Sequence, residues 1–297
     1  MTAFILNVPS QDVEVASDRL WQLGVRAVEE RRVDDRSGAV SGAGSIDPGD
    51  RVELWTSLGA DPIPTSIEQL GLKDDWTWRT EYVDAISAET WRASAAPMIV
   101  ADRVVVVPAW QEPPAVASNL VPIFIEPAGA FGFGDHPTTS LSLGAVVAAL
   151  LAHNGAESRP PSVLDVGCGT GLLAIAASLL GARPVRAIDV SMAAVESTRD
   201  NSRRNGVDGD VLVDDRRCED LDGTYDIVVA NILAPALVSL APTLVRLTAQ
   251  RGRLIVSGIL AARHGHVLDA LSPMVVEEVT EDATWVALTL CHPTVSA

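Results

Sequence analysis

The run Val163-Leu164-Asp165-Val166-Gly167-Cys168-Gly169-Thr170-Gly171 places an acid ahead of three glycines at alternate positions. An apolar strand passes into a loop poor in Cβ atoms. A helix opens behind it, with Leu172, Ile175, Ala176, Leu179 and Leu180 at helical spacing. Glycines there let a ligand lie against the backbone. A dinucleotide loop of the form G-x-G-x-x-G would need glycine at position 172, where this chain has leucine. The third glycine here is Gly171, giving a G-x-G-x-G form behind Asp165. An acid there suits a ligand that carries an ammonium and no pyrophosphate. Asp165 is the candidate partner of the ammonium, directly or through water; its alternative role is to cap loop amides.

Two further strand ends carry polar groups. Val185-Arg186-Ala187-Ile188 ends in Asp189, whose carboxylate suits both ribose hydroxyls of a nucleoside. That feature is common to NAD and S-adenosylmethionine sites, and a turn-holding role is its alternative. Ser191 is a candidate N-cap for the helix that follows. Tyr225 to Ala230 reads as a buried strand delivering Asn231 to its C-terminal end, where ligands sit in open α/β sheets. An amide there can accept from an amine and donate to a cofactor, so Asn231 is the candidate catalytic residue. Ile232, Leu233 and Ala234 follow it and offer no ring to stack a flipped base, which disfavours a nucleic-acid substrate.

In His136-Pro137-Thr138-Thr139, the proline suits a helix start and the threonines set hydroxyls at its first turn. His136, with an ordinary pKa near ~6.5, is either a general base or a ring that closes the loop onto backbone; the second is preferred. Cys168 reads as a small core-facing filler, with no adjacent histidine to activate it.

These residues need a scaffold. From His136 to the end, helical patterns alternate with short apolar runs, which predicts a parallel sheet covered on both faces: a doubly wound, Rossmann-like α/β domain. Residues 103–108 and 121–125 are further strand-length runs. The apolar stretch 141–152 is too short to span a bilayer and reads as a buried helix. Ahead of this lie strand patterns at 4–8, 25–33, 51–55 and 76–83. Helix patterns fall at 13–23, with Val13, Ala16, Leu20 and Leu23 on one face, and at 63–70. Their βαββαβ order predicts a ferredoxin-like α+β unit. The expected division is a substrate-recognition domain over 1–83, a linker helix over 84–97 and a catalytic domain over 98–297. Trp76, Trp78 and Trp91 are expected to pack the two domains together.

The formal net charge of -17 over 297 residues repels phosphate backbones and favours a basic protein partner. Cys168, Cys218 and Cys291 form no C-x-x-C pair, so neither a disulfide framework nor a metal site is expected. With no signal-peptide pattern at the start, the expectation is a cytoplasmic monomer without nucleic-acid or membrane partners.

Ala130-Phe131-Gly132-x-Gly134-x-His136-Pro137-Thr138-Thr139, the glycine loop, Asn231-Ile232-Leu233-Ala234 and Ser257-Gly258-Ile259-Leu260 together resemble the PrmA family, methyltransferases of large-subunit ribosomal protein eleven. The resemblance spans about 103–290 and extends more weakly towards the N-terminus. It implies a class I methyltransferase fold using S-adenosylmethionine. Cofactor contacts would come from Thr139, Asp165, Gly167, Gly169, Gly171, Asp189 and Asn231, and the acceptors would be lysine or N-terminal amines of the ribosomal protein. It also implies that the N-terminal module recognises that protein and swings on the linker. The family commonly has threonines where this chain has Phe133 and Asp135, and the glycine-rich stretch 37–49 lacks obvious recognition residues. The alternatives are a methyltransferase of another basic protein, a nucleic-acid methyltransferase, a non-catalytic assembly factor that kept the cofactor fold, and a dehydrogenase.

Overall fold

The structure, a computed structural model, describes residues 2–22, 28–32, 51–56, 73–82, 95–126, 136–156, 159–282 and 284–293. The helix expected at 63–70, the stretch 37–49, Trp91, Phe133, Asp135 and residues 84–94 of the expected linker helix lie outside them; residues 95–97 are not helical. The chain divides into two compact units, Met1–Ala95 and Ala96–Ala297.

In the first unit, β1 (Thr2–Pro9), β2 (Val28–Arg32), β3 (Arg51–Thr56) and β4 (Thr77–Tyr82) form an antiparallel sheet in the order β2-β3-β1-β4. Phe4, Leu6 and Val8 alternate onto one face of β1. They pack on Val13, Ala16 and Leu20 of α1 (Val13–Gln22), the helical stripe read from the sequence. Trp76, expected between the domains, lies instead in this unit's own core, where its Nε1 donates to Asp12 at 2.9 Å. A buried indole needs such a partner, and a buried carboxylate at the helix start supplies it. Lys73 Nζ bonds the same carboxylate at 2.6 Å. Trp78 stacks on Phe4 within the unit, with ring centroids 5.6 Å apart.

The second unit opens with a small sheet in which β5 (Met98–Val100) runs antiparallel to β6 (Val104–Pro108), and β6 runs parallel to β7 (Val121–Ile125). Its main sheet has seven strands: β8 (Val163–Val166), β9 (Val185–Ile188), β10 (Val211–Asp214), β11 (Tyr225–Asn231), β12 (Thr248–Leu260), β13 (Val275–Asp282) and β14 (Trp285–Cys291). Their order is β10-β9-β8-β11-β12-β14-β13. The strands from β8 to β12 are mutually parallel, and β8, β9 and β11 read as apolar runs because both faces are covered.

The parallel run predicted from the sequence stops at β12. β14 is antiparallel to both β12 and β13. Only residues 283 and 284 join β13 to β14, and so short a connection can make a hairpin but not a crossover. The sheet is doubly wound, with an antiparallel strand inserted near one edge.

Helices pack where the patterning dictates. α2 (Pro137–Ala156) buries Leu143, Val146, Val147 and Leu150, while Leu151, within the stretch expected to be a buried helix, is 48% exposed. α3 (Leu172–Leu179) is buried all round from Leu172 to Ser178, rather than along one stripe. α4 (Met192–Arg204) is amphipathic, and α5 (Ala234–Leu247) buries Ala234, Leu237, Ala241, Leu244 and Leu247 at three- and four-residue spacing. α6 (Gly265–Ala270) completes the unit. No helix among the described residues is long and apolar enough to cross a membrane.

Candidate active site

The chain leaves β8 to build β9 on one side, and later returns to build β11 on the other. The crevice at that reversal is where open α/β sheets hold ligands. Register makes the site. Val166 pairs with Ile188 of β9 and with Ala230 of β11, so Gly167 and Asp189, just past β8 and β9, stand level with Asn231, the last residue of β11. Gly167 and Cys168 donate their N–H groups to the Ile188 carbonyl at 2.9 and 3.1 Å, which pins the loop to β9.

Thr139, Gly167, Cys168, Thr170, Leu172, Leu173 and Asn231 line one cleft here. Three of the residues singled out from the sequence thus meet directly. Asp165, Gly169, Gly171 and Asp189 are not on the lining but hold the loop that forms it. Gly167, Gly169 and Gly171 all have positive φ (74°, 56° and 83°), the reason for glycine at each. Ile232 caps the arrangement: a Cβ on Gly167 would stand 2.4 Å from its Cγ2, and one on Gly258 would stand 2.3 Å from its carbonyl oxygen. The Asn231-Ile232 turn therefore threads between two glycines.

Asp165 is buried and accepts the Ala174 N–H at 3.1 Å through Oδ2. It does cap an amide, in the first turn of α3, and its Oδ1 has no partner among the described residues. Burial pushes its carboxyl up to about 7, the Ala174 bond pulls it down, and the Asp189 charge adds to the rise. Asp189 accepts from Gly169 N at 3.1 Å and Ser191 N at 2.9 Å, so it braces the glycine loop and the next turn together. Burial raises its pKa, and the two amide bonds oppose that rise. Ser191 stands at the N-cap of α4 without a side-chain capping bond; Asp189 takes over the local bonding.

Thr139 sits in the first turn of α2. Its Oγ1, Asp165 Oδ1 and Asn231 Oδ1 are buried without hydrogen-bond partners among the described residues. Buried polar atoms without partners are costly, and the two on Thr139 and Asn231, which line the cleft, fit a polar ligand. A cationic amine suits the carboxylate and amide oxygens. His136 is tied up locally: Nδ1 accepts the Thr138 N–H at 3.3 Å and lies 2.8 Å from Thr138 Oγ1, with the ring edge-on to Trp285. Cys168 is buried, its thiol pushed well above its usual range by burial and the nearby acids, with Sγ 3.2 Å from Thr198 Oγ1. No cluster of metal-binding side chains occurs among the described residues.

The sequence reading missed the supports on α4. Thr198 Oγ1 donates to the Gly169 carbonyl at 3.0 Å, and Asn201 Nδ2 donates to the Thr170 carbonyl at 3.0 Å. Polar residues at positions 198, 201 and 205 recur at helical spacing on one face, a signal that could have marked them. It also missed Val190 and Met192, large apolar side chains left 82% and 50% exposed beside Asp189.

The family model described as "Ribosomal protein L11 methyltransferase (PrmA)" matches residues 54–292. The chain is 37% identical over 260 residues to a ribosomal protein L11 methyltransferase of Marinobacter nauticus, covering 82% of this chain and 84% of that protein. It is 38% identical over 264 residues to one from Symbiobacterium thermophilum, covering 86% and 80%. A crystal structure of ribosomal protein L11 methylase from Lactobacillus delbrueckii subsp. bulgaricus superposes with a TM-score of 0.59 at 30% identity, covering 67% of this chain and all of that one.

Proposed function

This chain belongs to the ribosomal protein L11 methyltransferase (PrmA) family, and from that premise we propose that it methylates amines of ribosomal protein L11, on lysine side chains, the N-terminus or both, at the cleft between Thr139, Gly167 and Asn231. The observation that carries this reading is the pair of buried oxygens on one cleft, Thr139 Oγ1 and Asn231 Oδ1, that have no hydrogen-bond partner among the described residues.

S-adenosylmethionine, when bound, supplies a methyl on a sulfonium, already a good leaving group. The chain's residues bind and align. Asp189 would offer its carboxylate to the ribose hydroxyls, and Val190 and Met192 would give apolar surface to the base. Asp165 and Thr139 would hold the amino-acid end, and the loop of Gly167, Gly169 and Gly171 would lie against the ligand. Asn231 would orient the incoming amine through Oδ1. An in-line displacement needs the amine lone pair about 3 Å from the methyl, so orientation is the main demand on the site. The amine must arrive neutral, although a lysine has an ordinary pKa near ~10.4. Leu172 and Leu173 on the cleft wall favour the uncharged form by limiting water. No lining side chain among the described residues is a base: the Cys168 thiol is held protonated and His136 is committed to Thr138.

The N-terminal unit is read as the ferredoxin-like module that recognises the substrate, with domain limits of 1–83, 84–97 and 98–297; the order β2-β3-β1-β4 supports it. The charge of -17 supports a basic protein, not nucleic acid, as the direct partner. We read the enzyme as a cytoplasmic monomer. Label transfer from S-adenosylmethionine to purified ribosomal protein L11 tests the reading, and label confined to other proteins contradicts it.

A further inference from the structure

Asn201 is fully buried in α4, a helix otherwise rich in charge. Its side chain uses both ends. Oδ1 accepts the Glu126 N–H at 2.9 Å, while Nδ2 donates to the Glu126 carbonyl at 3.0 Å and the Thr170 carbonyl at 3.0 Å. One amide therefore joins the end of β7 to the glycine loop, 44 residues apart in sequence by the difference of 170 and 126.

The need for it follows from Asp165. The Thr170 carbonyl would ordinarily accept from the Ala174 N–H, four residues on, but that N–H goes to Asp165 Oδ2. Asn201 supplies the donor that Asp165 has diverted. The Asp165 carboxylate and the amide that holds the loop are two parts of one exchange of hydrogen bonds. Asn205, one turn further on, bonds only to β7 and to α4 itself: its Oδ1 accepts the Phe124 N–H at 2.8 Å, and its Nδ2 reaches the Phe124 and Asn201 carbonyls at 2.7 and 2.8 Å.

We propose that Asn201 is a positioning residue for cofactor binding, clamping the glycine loop to the end of β7 so that the two move as one body. It touches neither cofactor nor substrate. The proposal rests on reading the cleft as an S-adenosylmethionine site, and its test separates the two.

Asn201→Ala removes the clamp. Asn201→Asp keeps the acceptor for the Glu126 N–H but sets an oxygen against two carbonyls. Asn205→Ala loosens β7 alone. Hydrogen exchange on the ligand-free proteins reads the clamp without any cofactor. Both Asn201 variants should speed exchange at residues 167–171 as well as 124–126, and Asn205→Ala should speed it at 124–126 only. S-adenosylhomocysteine should bind either Asn201 variant at least tenfold more weakly than wild type and Asn205→Ala within twofold. For Asn201→Asp, the deficit relative to wild type at the same pH should shrink as the introduced carboxyl is protonated and regains a donor. If Asn201→Ala does not fold, Asn201→Asp carries the test. Unchanged exchange at 167–171 in a folded Asn201 variant, or equal losses in the Asn205 variant, overturns the proposal. Failure of wild type to bind S-adenosylhomocysteine counts against the functional reading, and the exchange measurement then still decides the clamp.

Discussion

Asp165 accepts the Ala174 N–H at 3.1 Å through one oxygen, and its other oxygen is buried without a partner among the described residues. An acid at the end of a buried strand is thus half committed to structure and half available to a ligand.

Affinity for S-adenosylhomocysteine should depend on pH through this group. Burial pushes the Asp165 carboxyl up to about 7, so the ligand-free site is increasingly protonated below that pH. The ligand's ammonium selects the carboxylate. Dissociation constants from calorimetry should therefore weaken by about tenfold per pH unit below 7 and level off above it. Asp165→Asn should bind weakly with a flat profile. A flat profile in wild type would show that the ligand does not meet this carboxylate.

Asp226 should matter for stability and not for binding. Two bonds of 2.7 Å from Arg159, and the N–H and Oγ of Ser162 at 2.8 Å each, hold its carboxyl well below the usual carboxylate range. A depressed folded pKa gives stability that is complete above the unfolded value near ~4 and is lost as pH falls towards the folded one. Asp226→Asn should cost about 1–2 kcal/mol at neutral pH, allowing for the exposed arginine. Thermal melts should show the gap from wild type closing below pH 4, with S-adenosylhomocysteine affinity unchanged.

Gly258 and Gly206 offer a matched comparison. Both have positive φ (85° and 68°), but a Cβ on Gly258 meets the Ile232 carbonyl oxygen at 2.3 Å while one on Gly206 meets nothing within 4 Å. Gly206→Ala should lose only the backbone penalty of about 1–2 kcal/mol. Gly258→Ala should lose more and also displace the Asn231-Ile232 turn, lowering kcat. Equal losses in stability, with kcat unchanged, would contradict the packing of that turn between Gly167 and Gly258.

Cys168 should be dispensable for chemistry. Its buried thiol is held protonated, so iodoacetamide at pH 8 should leave it unmodified in the folded protein, and Cys168→Ala should keep kcat within a few-fold of wild type. A large loss of kcat with intact cofactor binding would reopen a covalent role.

Much of the site was legible because strand, loop and helix leave local signatures. The run from Val163 to Gly171 announces its own turn through glycine, and Asp189 and Asn231 stand at the ends of short apolar runs. Other features depend on partners distant in sequence. Asn201 looks like an ordinary polar residue of a charged helix until Thr170 and Glu126 are brought beside it. Trp76 was assigned to a domain boundary on proximity alone, whereas its bond to Asp12 spans 64 residues. The antiparallel placement of β14 follows from the brevity of its connection to β13, which apolar periodicity does not report.

The most direct test of the account is a paired measurement on wild type and Asn231→Ala, with S-adenosylhomocysteine affinity by calorimetry beside methyl transfer to ribosomal protein L11 mapped by mass spectrometry. The account predicts methylated lysine or N-terminal amine with wild type. In the variant, it predicts kcat reduced by about a hundredfold or more, the scale lost when an aligning polar group is removed, with affinity changed less than tenfold. Equal transfer by the two proteins, or no methylation of that substrate by a wild type that binds the ligand, would contradict it.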